Sequence, residues 1–480
     1  MNCRMWNAIL RITLASCLLL PNLSAAQSTT SNTPANAGDW GNFEVGSTVV
    51  HIELLGTVGE RRPMDVLLWY PADKQAYQSA PTTLYASRLN GVPLIDPSNP
   101  ERWVLMSFVV VAERARNSVP VDQGRPSFPL IVFSHPAMSD PQNVASTLER
   151  LASHGFIVAA PWHNGDTQDE QRIDLINIRA GTKIVPCFDG GPSPCLDGLN
   201  KTVQNRALDI AAVLDNITSI FGDRVDTERV GLLGQSRGSL TALMAGGGST
   251  TLNINAEQRI DAIMTLTIAI RTATFTANLN QVTIPTLMVT SKGDRNTPMS
   301  IAVDAFNVIP SEQKGLVVLE NGEHGVYSSN RCAQMQAAGA VFQAEPRAIG
   351  EQLTLENILL SPNSGTPIDY CLFESFTQPV DIRPTVKAIT GIDVTENNVP
   401  KSLDTVTAMR LVLELATTYF DAVLVKKAQP GVHFKQYLSP KFLLHKEGES
   451  VSYSESESFQ GGKVECDDSD LASLNVACGE

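Results

Sequence analysis

Basic residues are scarce in this chain, and so are the features that would tie it to nucleic acid, metal or membrane. Its 480 residues hold 36 Lys and Arg against 50 Asp and Glu, a formal charge of -14. No basic patch offsets that balance, which argues against nucleic acid and anionic membrane surfaces as main partners. There is no CxxC pair and no cluster among the 7 histidines, so no metal site or cofactor is expected. Beyond the N-terminus no uncharged apolar run reaches the roughly 18 residues of a spanning helix, which speaks against an integral membrane span. No repeat at solenoid period appears either.

What is present suffices for a large α/β domain with insertions, since 43% of the residues are hydrophobic. The first residues read as a secretory signal: Arg4 and Arg11, an apolar stretch around Leu18 to Leu20, then Ser24-Ala25-Ala26 ahead of Gln27. Export to the periplasm or medium is the expectation. Leu14-Ala15-Ser16-Cys17 resembles a lipoprotein box, but the apolar core runs through it, so soluble export is favoured over anchoring at Cys17. In an exported chain the remaining cysteines pair by proximity as Cys187 with Cys195, Cys332 with Cys371, and Cys466 with Cys478.

The organisation expected is a signal at 1–26, a polar lead at 27–44, a main domain over 45–447 and a Ser- and Glu-rich, mobile tail over 448–480. Within the domain, Val49 to Leu54 and Met64 to Pro71 read as an antiparallel pair. An insertion over 80–126 follows, in which Trp103 to Val111 and Glu113-Arg114-Ala115-Arg116 suggest a helix packed over apolar surface, or a flap over the active site. Buried strands are then expected at Phe128 to Phe133, Phe156 to Ala160, Ala262 to Thr267, Pro285 to Thr290 and Leu316 to Leu319, separated by helix-length segments. That rhythm predicts a mostly parallel, doubly wound sheet. A loop-rich insertion over 328–403 precedes a last amphipathic helix through Val406, Leu413 and Phe420.

The chemistry gathers around Gly234-Gln235-Ser236-Arg237-Gly238. An apolar strand enters this pentad and a helix-forming run leaves it, as a nucleophile elbow requires, with small residues two before and two after the serine. A serine hydroxyl needs a base, and the base needs a carboxylate to hold its tautomer. Of the histidines after Ser236, only His324 stands in the loop just past a buried strand; His433 and His445 do not. Asp294, in the loop after the Leu287 to Thr290 strand, is the orienting acid expected, with a helix N-cap as its competing role. The oxyanion donors expected are the backbone N–H of Arg237 and one from Ala137 or Met138, and the Arg237 side chain has a carboxylate near the turn as a candidate partner.

Phe133-Ser134-His135, Leu151 to Ala160, the Gly234 to Gly238 pentad and Trp69-Tyr70-Pro71 together resemble the α/β-hydrolase group that contains platelet-activating factor acetylhydrolases and dienelactone hydrolase-like esterases. The resemblance covers residues 45 to 327 and implies Ser236 as nucleophile and His324 as base. Three departures stand out. Acetylhydrolases carry the acid after the strand that follows the nucleophile helix, where this chain has Thr265, Leu266 and Thr267; dienelactone hydrolases use cysteine; and Pro136 follows His135 where the group often has glycine. The reading that follows is an exported serine carboxylic ester hydrolase, acting on a small-molecule, lipid or polymeric ester. An amidase or peptidase of the same fold, or an inactive binding protein, are its alternatives, and the sequence leaves oligomeric state open.

Overall fold

A computed structural model describes residues 37–56, 59, 61–85, 88–89, 92–93, 110–137, 139–167, 193–269, 278–294, 297–319, 322, 324–325, 327, 405–426, 451–455 and 465–466. Its centre is a run of six parallel strands. In spatial order these are β8 (Ile157–Pro161), β7 (Phe128–Ser134), β9 (Val225–Ser236), β10 (Ala262–Ile268), β11 (Thr286–Ser291) and β12 (Lys314–Leu319). The middle of each strand is largely apolar because both faces are covered. In β7, Leu130 and Val132 face one core while Ile131 and Phe133 face the other. The sequence order of the strands reverses at β7 and β9, the place where an open sheet of this kind leaves a crevice at its strand ends.

One face is covered by α2 (Ala145–Ser153) and α6 (Thr405–Phe420), the other by α3 (Ser193–Phe221), α4 (Arg237–Gly247) and α5 (Met299–Val308); α1 (Lys74–Tyr77) is a single turn. Helix α2 stops at Gly155, whose φ of +97° suits glycine. Helix α6 crosses β9 so closely that a Cβ on Gly231 would stand 2.5 Å from the Phe420 ring. At one side the antiparallel pair β1 (Glu44–Leu55) and β2 (Arg61–Ala72) joins the sheet through β8.

Two expectations are corrected. Val110–Asn117, read as the end of a helix, is strand β6, paired with β1 and with β3 (Thr82–Tyr85) at the sheet's edge, several strands from β9. Its backbone N–H groups explain the change: those of Arg114 and Ala115 donate to the buried Glu149 carboxylate at 2.7 and 3.0 Å, a partner no helix in that place would have. Residues 94–109 lie outside the described residues, and β4 (Arg88–Leu89) with β5 (Val92–Pro93) forms a separate small ribbon. The second correction concerns the tail. Val451–Glu455 is strand β13, antiparallel to β12, and Glu465–Cys466 is β14 beside it, because the open edge of β12 offers unpaired backbone that an alternating Ser/Tyr/Glu segment can satisfy.

Candidate active site

Strand β9 ends at Ser236 and α4 begins at the next residue, leaving the serine at φ +54°, ψ −117°. A non-glycine residue rarely holds such a conformation, and it persists here because the turn is packed too tightly to relax. A Cβ on Gly234 would lie 2.2 Å from the Gly238 carbonyl oxygen, and one on Gly238 would lie 1.8 Å from that of Ser134. The Ser239 hydroxyl fastens the turn to its neighbour strand, donating to the Gly234 carbonyl at 2.9 Å and accepting from Leu266 N–H at 3.1 Å. Beside it Thr267 is held at φ +49°, where the pairing of β10 with β9 slips by one residue.

Two loops bring partners to this serine. His324 Nε2 stands 3.0 Å from Ser236 Oγ, and His324 Nδ1 stands 2.8 Å from Asp294 Oδ2. Asp294 is itself gripped by its loop, since Thr297 donates to it through its backbone N–H (2.8 Å, to Oδ1) and its hydroxyl (2.6 Å, to Oδ2). The two loops are packed on each other at the end of β11. A Cβ on Gly322 would stand 2.7 Å from the Ser291 Cβ, and the buried Tyr327 hydroxyl reaches Ser291 Oγ at 3.3 Å. Burial pushes the Tyr327 phenol up, so it stays neutral. Ser236 and His324 retain 7% and 8% exposure, enough for contact with a substrate, whereas Asp294 has 3%.

Behind the elbow lies a buried polar cluster. Ser134 Oγ is 2.9 Å from His163 Nε2, and His163 Nδ1 is 2.8 Å from Asp209 Oδ2; Asp209 is also ion-paired with Arg62 at 2.8 Å. Arg206 donates to the His135 carbonyl at 2.7 Å and stands 2.8 Å from Asp166 Oδ2, while Asp166 Oδ1 takes a hydrogen bond from Arg237 at 2.7 Å. Burial, with Arg206 and then Arg62 beside it, holds His163 well below the ordinary histidine value. Burial, Arg206 and His163 do the same to His135. Burial also pushes Asp209 up, to about 6, against the pull of Arg62. For Asp166, burial raises the carboxyl but Arg237 and Arg206 together outweigh it and hold it below its usual range.

A family model described as platelet-activating factor acetylhydrolase, isoform II, matches residues 25–170, and one described as PET hydrolase-like matches residues 199–341. The first takes in β7 and its following loop; the second takes in the elbow, Asp294 and His324. This chain is an α/β-hydrolase, a carboxylic ester hydrolase. No curated protein matches it. Among solved structures it is similar to a ferulic acid esterase from Streptomyces cinnamoneus, at 18% identity and a TM-score of 0.41, over 81% of this hydrolase and 92% of that chain.

Of the residues singled out from sequence, the hydrolase thus brings Ser236, Asp294 and His324 together. Arg237 follows the serine, and its side chain does pair with a carboxylate, that of Asp166. Ala137 is half-buried in the loop after β7; Met138 lies outside the described residues. So do Cys187, Cys332, Cys371 and Cys478, and the side chains of Cys195, on α3, and Cys466, in β14, are not described. Among the described residues, no group of three His, Cys, Asp or Glu is arranged to hold a metal ion, and no helix is long and apolar enough to cross a membrane.

Sequence reasoning missed Thr297, Asp166, Arg206 and the His163–Asp209 pair. One signal was available. Arg206 falls on the apolar stripe of α3, three residues after Val203 and four before Ile210, where a cation has no place unless it is paired.

Proposed function

We propose that this hydrolase is an exported serine esterase that works through an acyl-enzyme on Ser236, with His324 as base and Asp294 as its orienting acid. The observation that carries this reading is the contact of His324 Nε2 with Ser236 Oγ at 3.0 Å, at a serine held in strained backbone geometry on a strand-to-helix turn. In the proposed reaction His324 Nε2 takes the Ser236 proton as Oγ bonds to the acyl carbon, and the carbonyl electrons move onto oxygen. That oxyanion is stabilised by the N–H of Arg237, at the positive end of α4, and by one from the loop after β7. The tetrahedral species collapses, His324 hands its proton to the departing alcohol, and water enters by the same steps in reverse order to release the acid. Asp294 keeps the Nδ1 proton in place and stabilises the imidazolium, while Thr297 keeps Asp294 from turning away.

The PET hydrolase-like and acetylhydrolase descriptions span aromatic polyester and short acyl ester chemistry, and either class suits a carboxylic ester hydrolase. The basic, apolar and small-residue order of residues 1–26 supports export, and an oxidising compartment would let the three cysteine couples form bridges. The test is fluorophosphonate labelling followed by peptide mapping, beside turnover of nitrophenyl esters of graded acyl length. Label on Ser236 together with ester but not anilide hydrolysis is the expected result. An unlabelled Ser236 would defeat the mechanism, and hydrolysis of anilides as fast as esters would defeat the substrate class.

A further inference from the structure

The oxyanion donors proposed above sit on two separate loops, one after β7 and one at the start of α4, and a single buried carboxylate touches a side chain bound to each. We propose that Asp166, acting through Arg206 and Arg237, is the positioning residue of the oxyanion hole, and that Ala137 supplies the hole's second amide. This inference rests on the serine esterase reading.

The geometry starts at the Pro136 carbonyl. His135 Nδ1 is 2.7 Å from it, and Arg206 Nη2 donates to it at 3.3 Å. The His135 tautomer is fixed by the opposite side of its ring, where Nε2 accepts the His163 backbone N–H at 3.1 Å; Nδ1 therefore carries the proton and donates to Pro136. Arg206 also donates to the His135 carbonyl at 2.7 Å, so consecutive carbonyls of the loop are drawn to the same guanidinium. No peptide bond among the described residues is cis. In a planar trans peptide the N–H points opposite to the C=O, so with the Pro136 carbonyl turned inward, the Ala137 N–H is turned away from Arg206 and the His135 ring. Gly238 lets this loop close on the elbow, since a Cβ there would stand 1.8 Å from the Ser134 carbonyl oxygen and 2.9 Å from that of His135. Proline at 136 fits this role, as it has no N–H of its own to compete for the clamp.

Asp166 joins the two halves. Its Oδ2 stands 2.8 Å from Arg206 Nη2 and its Oδ1 2.7 Å from Arg237 Nη1. Asp166 and Arg206 are each 1% exposed, and ion pairs taken so far from water return little net stability. What such a pair does provide is a fixed distance between the loops that carry Ala137 and Arg237, and donors displaced by about 1 Å cost about 100-fold in rate.

The experiment compares wild type with Asp166→Asn and with Arg237→Gln, which keeps the Arg206 contact and lies at the rim of the cluster. Fluorophosphonate titration of Ser236 counts working sites first, so that a variant folding in low yield is still judged per site. For Asp166→Asn, kcat per labelled site on a nitrophenyl ester is expected to fall about tenfold to 100-fold with KM within about threefold. The Ki of a trifluoromethyl ketone, which forms a hemiketal oxyanion on the serine, should rise by the same factor, and Arg237→Gln should show the same pattern to a smaller extent. If Asp166→Asn yields no labelled sites, Arg237→Gln carries the comparison alone. Unchanged kcat and Ki per labelled site, or a fall in kcat with Ki unchanged, would overturn the inference and leave the esterase reading standing. Failure to label wild-type Ser236 would instead remove the reading and the inference with it.

Discussion

Among its described residues this hydrolase has two Ser–His–Asp chains, and by distance alone they are twins. At the strand ends, Ser236, His324 and Asp294 are linked at 3.0 and 2.8 Å; under the elbow, Ser134, His163 and Asp209 are linked at 2.9 and 2.8 Å. The difference lies in what surrounds them. Ser134, His163 and Asp209 are all 0% exposed, and Ser134 ends an ordinary strand, whereas Ser236 is thrust out by a strained turn. A general base must also tolerate the proton it takes. His163 is pressed by Arg206 and Arg62, which oppose an imidazolium, and the Asp209 charge that would favour one is already engaged by Arg62. His163 therefore stays neutral, accepting from Ser134 and donating to Asp209, and the inner chain braces the loop after β7. Hydrogen-bond geometry is necessary for a nucleophile; exposure and electrostatic freedom of the base decide whether it works.

The sharpest way to break this comparison is to cut both chains at the serine. Ser236→Ala is expected to lower kcat by about a million-fold, since a triad acts as a unit. Ser134→Ala should keep kcat per site within a few-fold and cost about 1 to 3 kcal/mol of stability, because buried His163 Nε2 loses its donor. Turnover and urea unfolding of the two variants check this, and comparable activity losses would mean the inner chain takes part in the chemistry. Next in size is the acid. Asp294→Asn leaves the shape but allows the wrong tautomer, for an expected loss of about 10,000-fold in kcat with little change in stability. Asp209→Ala should do the reverse, stranding buried Arg62 at a cost of about 3 to 5 kcal/mol, read as a lower urea midpoint at near-normal kcat per labelled site.

The outer chain was legible in the sequence because each member sits in a local pattern: Gly-x-Ser-x-Gly between a strand and a helix, Asp294 and His324 each just past an apolar strand. The parallel strands were legible for the same reason, each being built around a short, mostly apolar run. The inner cluster was not, since Arg62, His163, Arg206 and Asp209 come from three segments far apart in sequence and meet only when β2, β8 and α3 pack. Strand β6 was misread because its hydrogen-bond partner, Glu149, lies on a helix far along the chain. The strand at Val451–Glu455 was misread because composition speaks of solvation and is blind to the open edge of β12.

The smallest effect tests the inner cluster's charge state. His135 and His163 have folded pKa values well below the ordinary 6.5, so as pH falls through 6.5 the unfolded chain binds protons that the folded one refuses, and stability drops. Asp209 opposes them: its folded value of about 6 lies above its unfolded value, so below pH 6 the folded state binds the extra proton and gains. The two histidines together outweigh Asp209, so stability is expected to fall as the pH drops below 6. Urea unfolding of the Ser236→Ala protein between pH 8 and pH 5 checks the slope without interference from turnover. A flat profile would mean that the inner histidines protonate in place, and with that the electrostatic distinction between the two chains would be lost.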